Sequence, residues 1–456
     1  MEPEVEQVNP QQPLMPPPPP PPAPSAVPSA GGATTTLSTG AVPRIDVGVA
    51  WESLNDETGR IRCLACAHHC VITPGHTGIC GVRRNQAGKL ELLVYGRPTA
   101  VHVDPVEKKP LYHFLPGSSV LSIGTVGCNM ACPWCQNWQI SQVTRKTAGK
   151  SPLIELEDIG EPMTPDDIIA TCDQQGLKVI AFTYNEPTIF LEYALDTMKL
   201  ARQKGIASIF VTNGYESEEA MTLLRPYVSA LNVDLKAFKD ETYLRLCKAH
   251  LQPVLDTIRR AHSMGLWVEV TTLIVPGVND SEEELRALCK WLASVSLDIP
   301  LHFSAFHPDF QMPETQPTPR RTLQRAKQIA AEEGLHWVYL GNVSDEGASQ
   351  TKCLSCGETL VQRAGYQTRV IGLRSMPPTQ VEPFPQCACR HCGASPIAGI
   401  WTQAQLVHMQ QVQAEQQGIT HLETPALMAL EKSADEQRQH IAGRQRPEAE
   451  AGAGVM

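Results

Sequence analysis

Twelve of the fifteen cysteines in this chain fall in three groups, and that grouping constrains the fold more than any other feature. Four stand at Cys63, Cys66, Cys70 and Cys80, three at Cys128, Cys132 and Cys135, and five at Cys353, Cys356, Cys387, Cys389 and Cys392. Cys172, Cys247 and Cys289 are isolated in helix-forming windows and read as ordinary core or surface residues. Disulfide frameworks belong to short secreted chains. This chain has 456 residues, room for about two to four domains. Its N-terminus shows neither a basic n-region nor an apolar h-region, and residues 1–43 hold no Lys or Arg, as an Arg-rich transit peptide would require. A reducing, cytoplasmic compartment is therefore expected, with grouped thiolates holding metals.

The sequence divides around these groups. Residues 1–43 contain 13 prolines, including the run Pro16 to Pro22, and predict a solvated, disordered or polyproline-like tail. A Cys-rich segment follows over 44–114, and a ribbon-like module over 346–400. The stretch 401–456 is rich in Gln, Glu and Ala, and predicts one or two exposed helices followed by a disordered end. Between the modules, residues 115–345 alternate strand and helix signals. Apolar, strand-like runs lie at 120–125, 179–184, 208–212, 230–238, 267–275, 301–306 and 336–341. One intervening window places Ile189, Tyr193, Leu195 and Leu200 at helical spacing and stops at Gly205. Another opens on Ser281 with Glu284 three residues on, a capping-box pattern. Buried-type strands separated by helices imply a parallel sheet, and six or more such units an α/β fold of the closed or partial (β/α) barrel kind. In such folds the chemistry sits on loops after the carboxyl ends of the strands.

Charge and hydropathy exclude two classes. With 38 Lys+Arg against 48 Asp+Glu, the net charge of −10 argues against a phosphate-neutralising nucleic-acid binder. No window approaches the ~18 consecutive apolar residues of a membrane-spanning helix.

The first predicted strand runs into "SIGTVGCNMACPWCQNWQIS", so Cys128, Cys132 and Cys135 lie on a strand-end loop with C-x3-C-x2-C spacing. Three thiolates so placed can hold three irons of a [4Fe–4S] cluster and leave the fourth iron open; a zinc site with a distant fourth ligand has the same local pattern. An aromatic residue, Trp134, precedes the third cysteine. This motif after the first strand of a partial barrel resembles the radical S-adenosylmethionine (SAM) superfamily. The resemblance implies a partial (β/α)6 TIM-like barrel, a catalytic [4Fe–4S] cluster on the three cysteines, and SAM on its open iron. It also implies reductive cleavage of SAM to a 5′-deoxyadenosyl radical that abstracts a hydrogen atom, and an electron donor of the flavodoxin or ferredoxin type.

Later strand ends extend the resemblance. In "TYNEPT", Asn185, Glu186 and Pro187 match the end of the superfamily's Gly-Gly-Glu-Pro pattern, Tyr184 departs from its first glycine, and Glu186 is the expected contact to the SAM amino group. Read in isolation, Glu186 is also a capping acid at a helix start. Asn213 belongs to "VTNGY", where Val211 replaces the Asp usual in glycyl-radical-enzyme activases. Asp234 and Lys236, in "NVDLKAF", are expected on one face of the fourth strand, lining the SAM carboxylate and ribose region. His307, in "AFHPDFQM", resembles the activase histidine near the SAM ribose. Taken with "EKKPLYHFLPGS", "VPGVND" and "YLGNV", these segments are similar to the radical SAM member of the AmmeMemoRadiSam system, a family related to the pyruvate formate-lyase activating enzymes.

The flanking groups point to further metals. Cys63, Cys66, Cys70 and Cys80 have ligands enough for a closed structural zinc site, the plainer reading, or for an auxiliary iron–sulfur cluster that relays electrons. Cys353 and Cys356 face Cys389 and Cys392 as two C-x2-C knuckles, each followed by glycine, and read as a zinc ribbon in which Cys387 is an alternative ligand to Cys389. Three functions follow in order: a radical SAM enzyme acting on an unidentified substrate, an activase that installs a glycyl radical on a partner protein, and a non-enzymatic multi-zinc binding protein. The last needs neither Glu186, Asp234, Lys236 and His307 nor a net negative charge.

Overall fold

In the computed structural model, which describes residues 45–46, 49–55, 57–146, 159–343, 347–376 and 386–416, the chain winds around one eight-stranded sheet. The proline-rich tail expected over 1–43 and the end of the C-terminal stretch, 417–456, lie outside the described residues. The sheet's strands are β1 (Ala100–Pro105), β2 (Ser119–Gly124), β3 (Val179–Phe182), β4 (Ala207–Thr212), β5 (Ala230–Asp234), β6 (Trp267–Ile274), β7 (Leu301–Ala305) and β8 (Val338–Gly341), in sequence order across the sheet. β2 to β8 are parallel, with Leu121 opposite Ile180, Ile209 opposite Ala230 and Leu301 opposite Val338. Helices α1 (Pro165–Gln175), α2 (Leu191–Gln203), α3 (Glu218–Leu224), α4 (Leu251–Ser263), α5 (Glu282–Val295) and α6 (Arg320–Glu332) follow β2 to β7 in turn. Six strand–helix units and a final strand result. Among the described residues the edge strands β1 and β8 do not pair, so the barrel is open.

All seven predicted parallel strands form, because their apolar runs are buried on both faces; β3, for example, is buried at every position. β1 pairs antiparallel with β2 and extends the sheet N-terminal of the expected boundary at 115. The fourth predicted strand is shorter than expected. It ends at Asp234, so Lys236 stands on the loop and not on the strand. Ser281 does cap α5 through the Glu284 N–H, but Glu284 does not reach back: its Oε1 accepts the Phe238 N–H at 2.7 Å.

The amino ends of the strands are closed. Val179, Ala207, Ala230 and Trp267 pack there against Leu111, Phe114, Ile400, Leu406 and Met409. The helix Gln403–Gln416 is thus not wholly exposed, since it buries Leu406 and Met409 under the barrel. The buried Glu269 carboxylate ties the 110–115 segment across this end, accepting from Tyr112 N, His113 N, Trp267 Nε1 and His302 Nε2 at 2.7–3.1 Å. With one end plugged, the carboxyl end is the face left for chemistry. No helix among the described residues is long and apolar enough to cross a membrane.

Candidate active site

The loop leaving β2 carries the cysteine triplet, and a close approach fixes its start. Gly127 has φ +91°, and a Cβ there would lie 2.8 Å from the Cys80 carbonyl oxygen and 2.9 Å from Val82 Cγ1. Only glycine combines that backbone conformation with that space. Cys128 Sγ accepts from Met130 N at 3.4 Å, and Cys135 Sγ lies 3.0 Å from Ser141 Oγ. Burial pushes both of these thiols up. Cys132 behaves oppositely: the Cys247 thiol, 3.7 Å away, lowers it to about 7 against the effect of burial, and the Lys236 charge assists.

All three thiols line one cavity of about 480 Å³ at the carboxyl ends of the strands, together with Trp134, Asn213, Asp234 and Lys236. Lys236 Nζ is 2.9 Å from Asp234 Oδ2. Burial opposes the ammonium charge, but the Asp234 carboxylate and the Cys132 thiolate outweigh it and hold Lys236 protonated. Asn213 Nδ2 donates to Asn129 Oδ1 at 2.7 Å and lies 3.9 Å from Cys128 Sγ.

Two predicted residues stand elsewhere. Glu186 is fully buried and does not line the cavity; it accepts from Asn213 N at 2.8 Å, Thr188 N at 2.9 Å and Thr212 Oγ1 at 3.0 Å. It caps the turn Pro187–Phe190, as its isolated reading allowed, and also fixes the Asn213 backbone. His307 is exposed and reaches the cavity only through Gln136, whose Nε2 is 2.7 Å from His307 Nε2.

The structure adds residues that sequence reasoning missed. Tyr184, in place of the pattern's glycine, keeps a glycine-like φ of +72°, and its hydroxyl donates to Asp104 at 2.7 Å. Lys109 is buried with Nζ 2.7 Å from Asp104 and 4.5 Å from the Tyr184 ring centre. Burial lowers the Lys109 ammonium, and Asp104 works against that effect. Both residues line the cavity, as does Tyr366 from the ribbon-like module. The departure from glycine at 184 was a readable signal; nothing in the sequence marks Tyr366. Of the isolated cysteines, Cys172 and Cys289 are buried core residues as expected, but Cys247 touches Cys132.

Cys353, Cys356, Cys389 and Cys392 place their sulfurs within 4.8 Å of one another, with Cys353–Cys392 at 3.7 Å and Cys356–Cys389 at 3.8 Å. Cys387 is not in this set; its sulfur lies 3.6 Å from Gln405 Nε2.

The class that results is an open parallel α/β barrel with three thiols on the loop after its first parallel strand, facing a cavity at the carboxyl ends. Residues 122–292 match the radical SAM superfamily. Over 324 residues the chain is 39% identical to an uncharacterized protein of Methanocaldococcus jannaschii, covering 71% of this chain and 93% of that one. The chain belongs to the radical SAM superfamily. It is also 26% identical over 158 residues to the isethionate sulfite-lyase activating enzyme of Oleidesulfovibrio alaskensis, a match to 33% of this chain that spans about half of that relative's length, 51%. It is 23% identical over 176 residues to the pyruvate formate-lyase-activating enzyme of Clostridium pasteurianum, covering 38% of this chain and 67% of that one.

Proposed function

We propose that this chain is the radical SAM enzyme of an AmmeMemoRadiSam-type system and that Cys128, Cys132 and Cys135 hold its catalytic [4Fe–4S] cluster. One observation carries the reading: the three thiols and the Asp234–Lys236 pair line the same cavity. The donor set suits the group, because three soft thiolates with N–H and O–H donors beside their sulfurs leave one iron of a cubane for SAM. Held there, the cluster and SAM would supply one-electron cleavage of a C–S bond and, through it, hydrogen-atom abstraction from a substrate. The chain's own residues bind, orient and exclude water. The Lys236 ammonium offers a fixed positive charge for a carboxylate, and the Asp234 carboxylate would accept a hydrogen bond from a hydroxyl such as that of a ribose. Asn213 is held in register from behind by Glu186. His307, through Gln136, borders the third cysteine. Lys109, Tyr184 and Tyr366 also line the cavity and add a buried ammonium and two phenol rings for a substrate to meet.

The reductant is a flavodoxin- or ferredoxin-type protein. In support, a second cavity of about 800 Å³ opens on the other side of the cysteine loop, at Ala131 and Pro133, with Arg145, Arg245 and Lys248 and no acid in its lining. That charge suits an acidic donor. The Cys353 set holds a structural zinc, because its 3.7 and 3.8 Å sulfur spacings match the edge of about 3.8 Å that a tetrahedron with Zn–S near 2.3 Å requires. A second reading, modification of a partner protein by glycyl-radical installation, draws support from the kinship to the two activating enzymes.

Anaerobic reconstitution followed by iron and sulfide analysis, EPR and a SAM-cleavage assay tests the first reading. Wild type is expected to show a reduced-cluster signal that changes when SAM is added, and to release 5′-deoxyadenosine. Robust 5′-deoxyadenosine formation by Cys132→Ala would sink it. Deuterium appearing in 5′-deoxyadenosine from a labelled metabolite pool, or from a labelled glycine in a partner, separates the two substrate readings.

A further inference from the structure

The N-terminal cysteines form a cage of their own. Cys63 closes the strand Ile61–Cys63, and its N–H donates to the Cys70 carbonyl at 2.9 Å. Cys66 bridges to Glu216 beyond β4. Cys70 opens the return strand Val71–Ile72, and the turn that follows brings Cys80 back, with Gly78 packed on the Cys70 side chain. Cys63, Cys66 and Cys80 are buried, and every pair among the four thiols lies within electrostatic reach.

Their spacing differs from that of the ribbon. Among the described residues, the Cys353 set alone draws three or more ligand atoms within 4.8 Å of one another. The N-terminal four stand wider, as the Cys128 triplet does. A single tetrahedral zinc pulls its sulfurs to about 3.8 Å. A cubane interposes irons and sulfides between its thiolates and needs the wider cage. A donor is also built in. Arg83, 2% exposed, gives its Nε–H to Cys63 Sγ at 3.2 Å, while its two terminal nitrogens hold Glu192 at 2.6 and 2.7 Å. Hydrogen bonds to cluster sulfurs are one of the ways a protein sets the potential of an iron–sulfur centre. Finally, this cage and the Cys128 loop share a wall. His68 Nε2 lies 3.0 Å from the carbonyl oxygen of Asn129, the residue after Cys128, and the Cys80 carbonyl abuts Gly127, the residue before it.

We infer that Cys63, Cys66, Cys70 and Cys80 hold a second, fully thiolate-ligated [4Fe–4S] cluster that passes electrons to the Cys128 loop. One electron enters from a low-potential one-electron donor of the flavodoxin or ferredoxin class and leaves as the catalytic centre is reduced; no bond forms or breaks in the chain. The relay rests on the function proposed above, whereas occupancy by iron does not.

The test uses the full chain, reconstituted anaerobically with iron and sulfide, as wild type, as Cys128→Ala/Cys132→Ala/Cys135→Ala and as Cys63→Ala/Cys70→Ala. Wild type is expected to hold about eight iron, and the triple variant about four, with an EPR signal on reduction that SAM does not alter. A triple variant with no iron and about two zinc overturns the inference and leaves the proposed function standing. Iron in the triple variant with none lost from wild type overturns the proposed function instead. If Cys63→Ala/Cys70→Ala does not fold, the triple variant, whose N-terminal cage is intact, decides occupancy alone. For the relay, an Asn129-side wall left complete but a cage left empty should slow reduction of the SAM-responsive signal by a reduced flavodoxin several-fold. The reading is stopped-flow absorbance of Cys63→Ala/Cys70→Ala, or of Cys70→Ser alone if the double variant does not fold, with the Cys128 triplet loaded, against fully loaded wild type, and equal rates overturn the relay.

Discussion

Cys247 Sγ lies 3.7 Å from Cys132 Sγ, although the two residues are 115 positions apart. The turn Tyr243–Cys247 is a π-helix, and the Cys247 carbonyl accepts the Ala131 N–H at 2.9 Å, so the contact is fixed through backbone as well as side chain. With a cluster on Cys132, the Cys247 S–H is a donor to a ligating thiolate. Cys247→Ala is expected to leave iron content unchanged and to lower the one-electron potential of the catalytic centre. The loss of about 1 kcal/mol of hydrogen bonding corresponds to roughly 40 mV. Cys247→Ser, which keeps a donor, should fall between the two. Redox titration followed by EPR reads the difference.

That contact marks where sequence reasoning stops. The parallel strands were legible because burial on both faces forces a continuous apolar run, and the triplet because three thiols of one cavity sit within eight residues, Cys128 to Cys135. β1 was not, since its one buried residue is the charged Asp104 and its other positions are half-buried or exposed, so it carries no such run. Asp234 and Lys236 are legible as a pair, but the strand that would alternate them ends at Asp234; a 2.9 Å ion pair ties Lys236 on the loop back to that strand end. Cys247 and Tyr366 reach the site only through tertiary packing, for which no local pattern exists. The C-terminal helix was expected to be exposed because it is rich in Gln, yet Leu406 and Met409 suffice to anchor it under the barrel.

Glu186 and Glu216 are two buried carboxyls joined by one hydroxyl. Thr212 Oγ1 lies 3.0 Å from Glu186 Oε2 and 2.5 Å from Glu216 Oε1, and its single proton serves one of them only. One carboxyl must therefore be protonated and donate to Thr212. Burial, with the Glu186 charge beside it, pushes Glu216 up to about 8. A carboxyl that binds its proton more tightly folded than unfolded contributes stability that is fully present below the unfolded range near 4.5. That stability is lost as pH rises through about 8. Glu216→Gln, neutral throughout, should flatten the decline in denaturant midpoint between about pH 5 and pH 8. An unchanged slope would place the shared proton elsewhere.

Gly127 is constrained twice, by φ +91° and by the Cys80 carbonyl 2.8 Å from any Cβ. Gly88 has a similar φ of +87° with nothing within 4 Å of a Cβ, so it isolates the conformational cost. Gly88→Ala should cost about 1 kcal/mol. Gly127→Ala should cost more, about 2–3 kcal/mol, and should also reduce iron retention, because the loop carrying Cys128 must move off Cys80. Chemical denaturation and iron content after desalting check both halves, and equal effects from the two variants would remove the role assigned to the close approach.

Arg83 and Glu192 join the N-terminal cysteine segment to helix α2 through a bidentate pair at 2.6 and 2.7 Å, with both side chains nearly inaccessible. Burial alone would strip the guanidinium of its proton affinity; the Glu192 carboxylate reverses that and holds Arg83 charged. Removing one partner leaves the other charge buried and unpaired, so Arg83→Met should destabilise the fold by about 3–5 kcal/mol. Arg83→Met/Glu192→Leu removes both charges and should recover most of the loss, since two apolar side chains of similar volume need no compensation. Calorimetric midpoints of the two singles and the double complete the cycle. A double variant no more stable than Arg83→Met would show that the Cys63 contact, not the ion pair, is what the segment depends on.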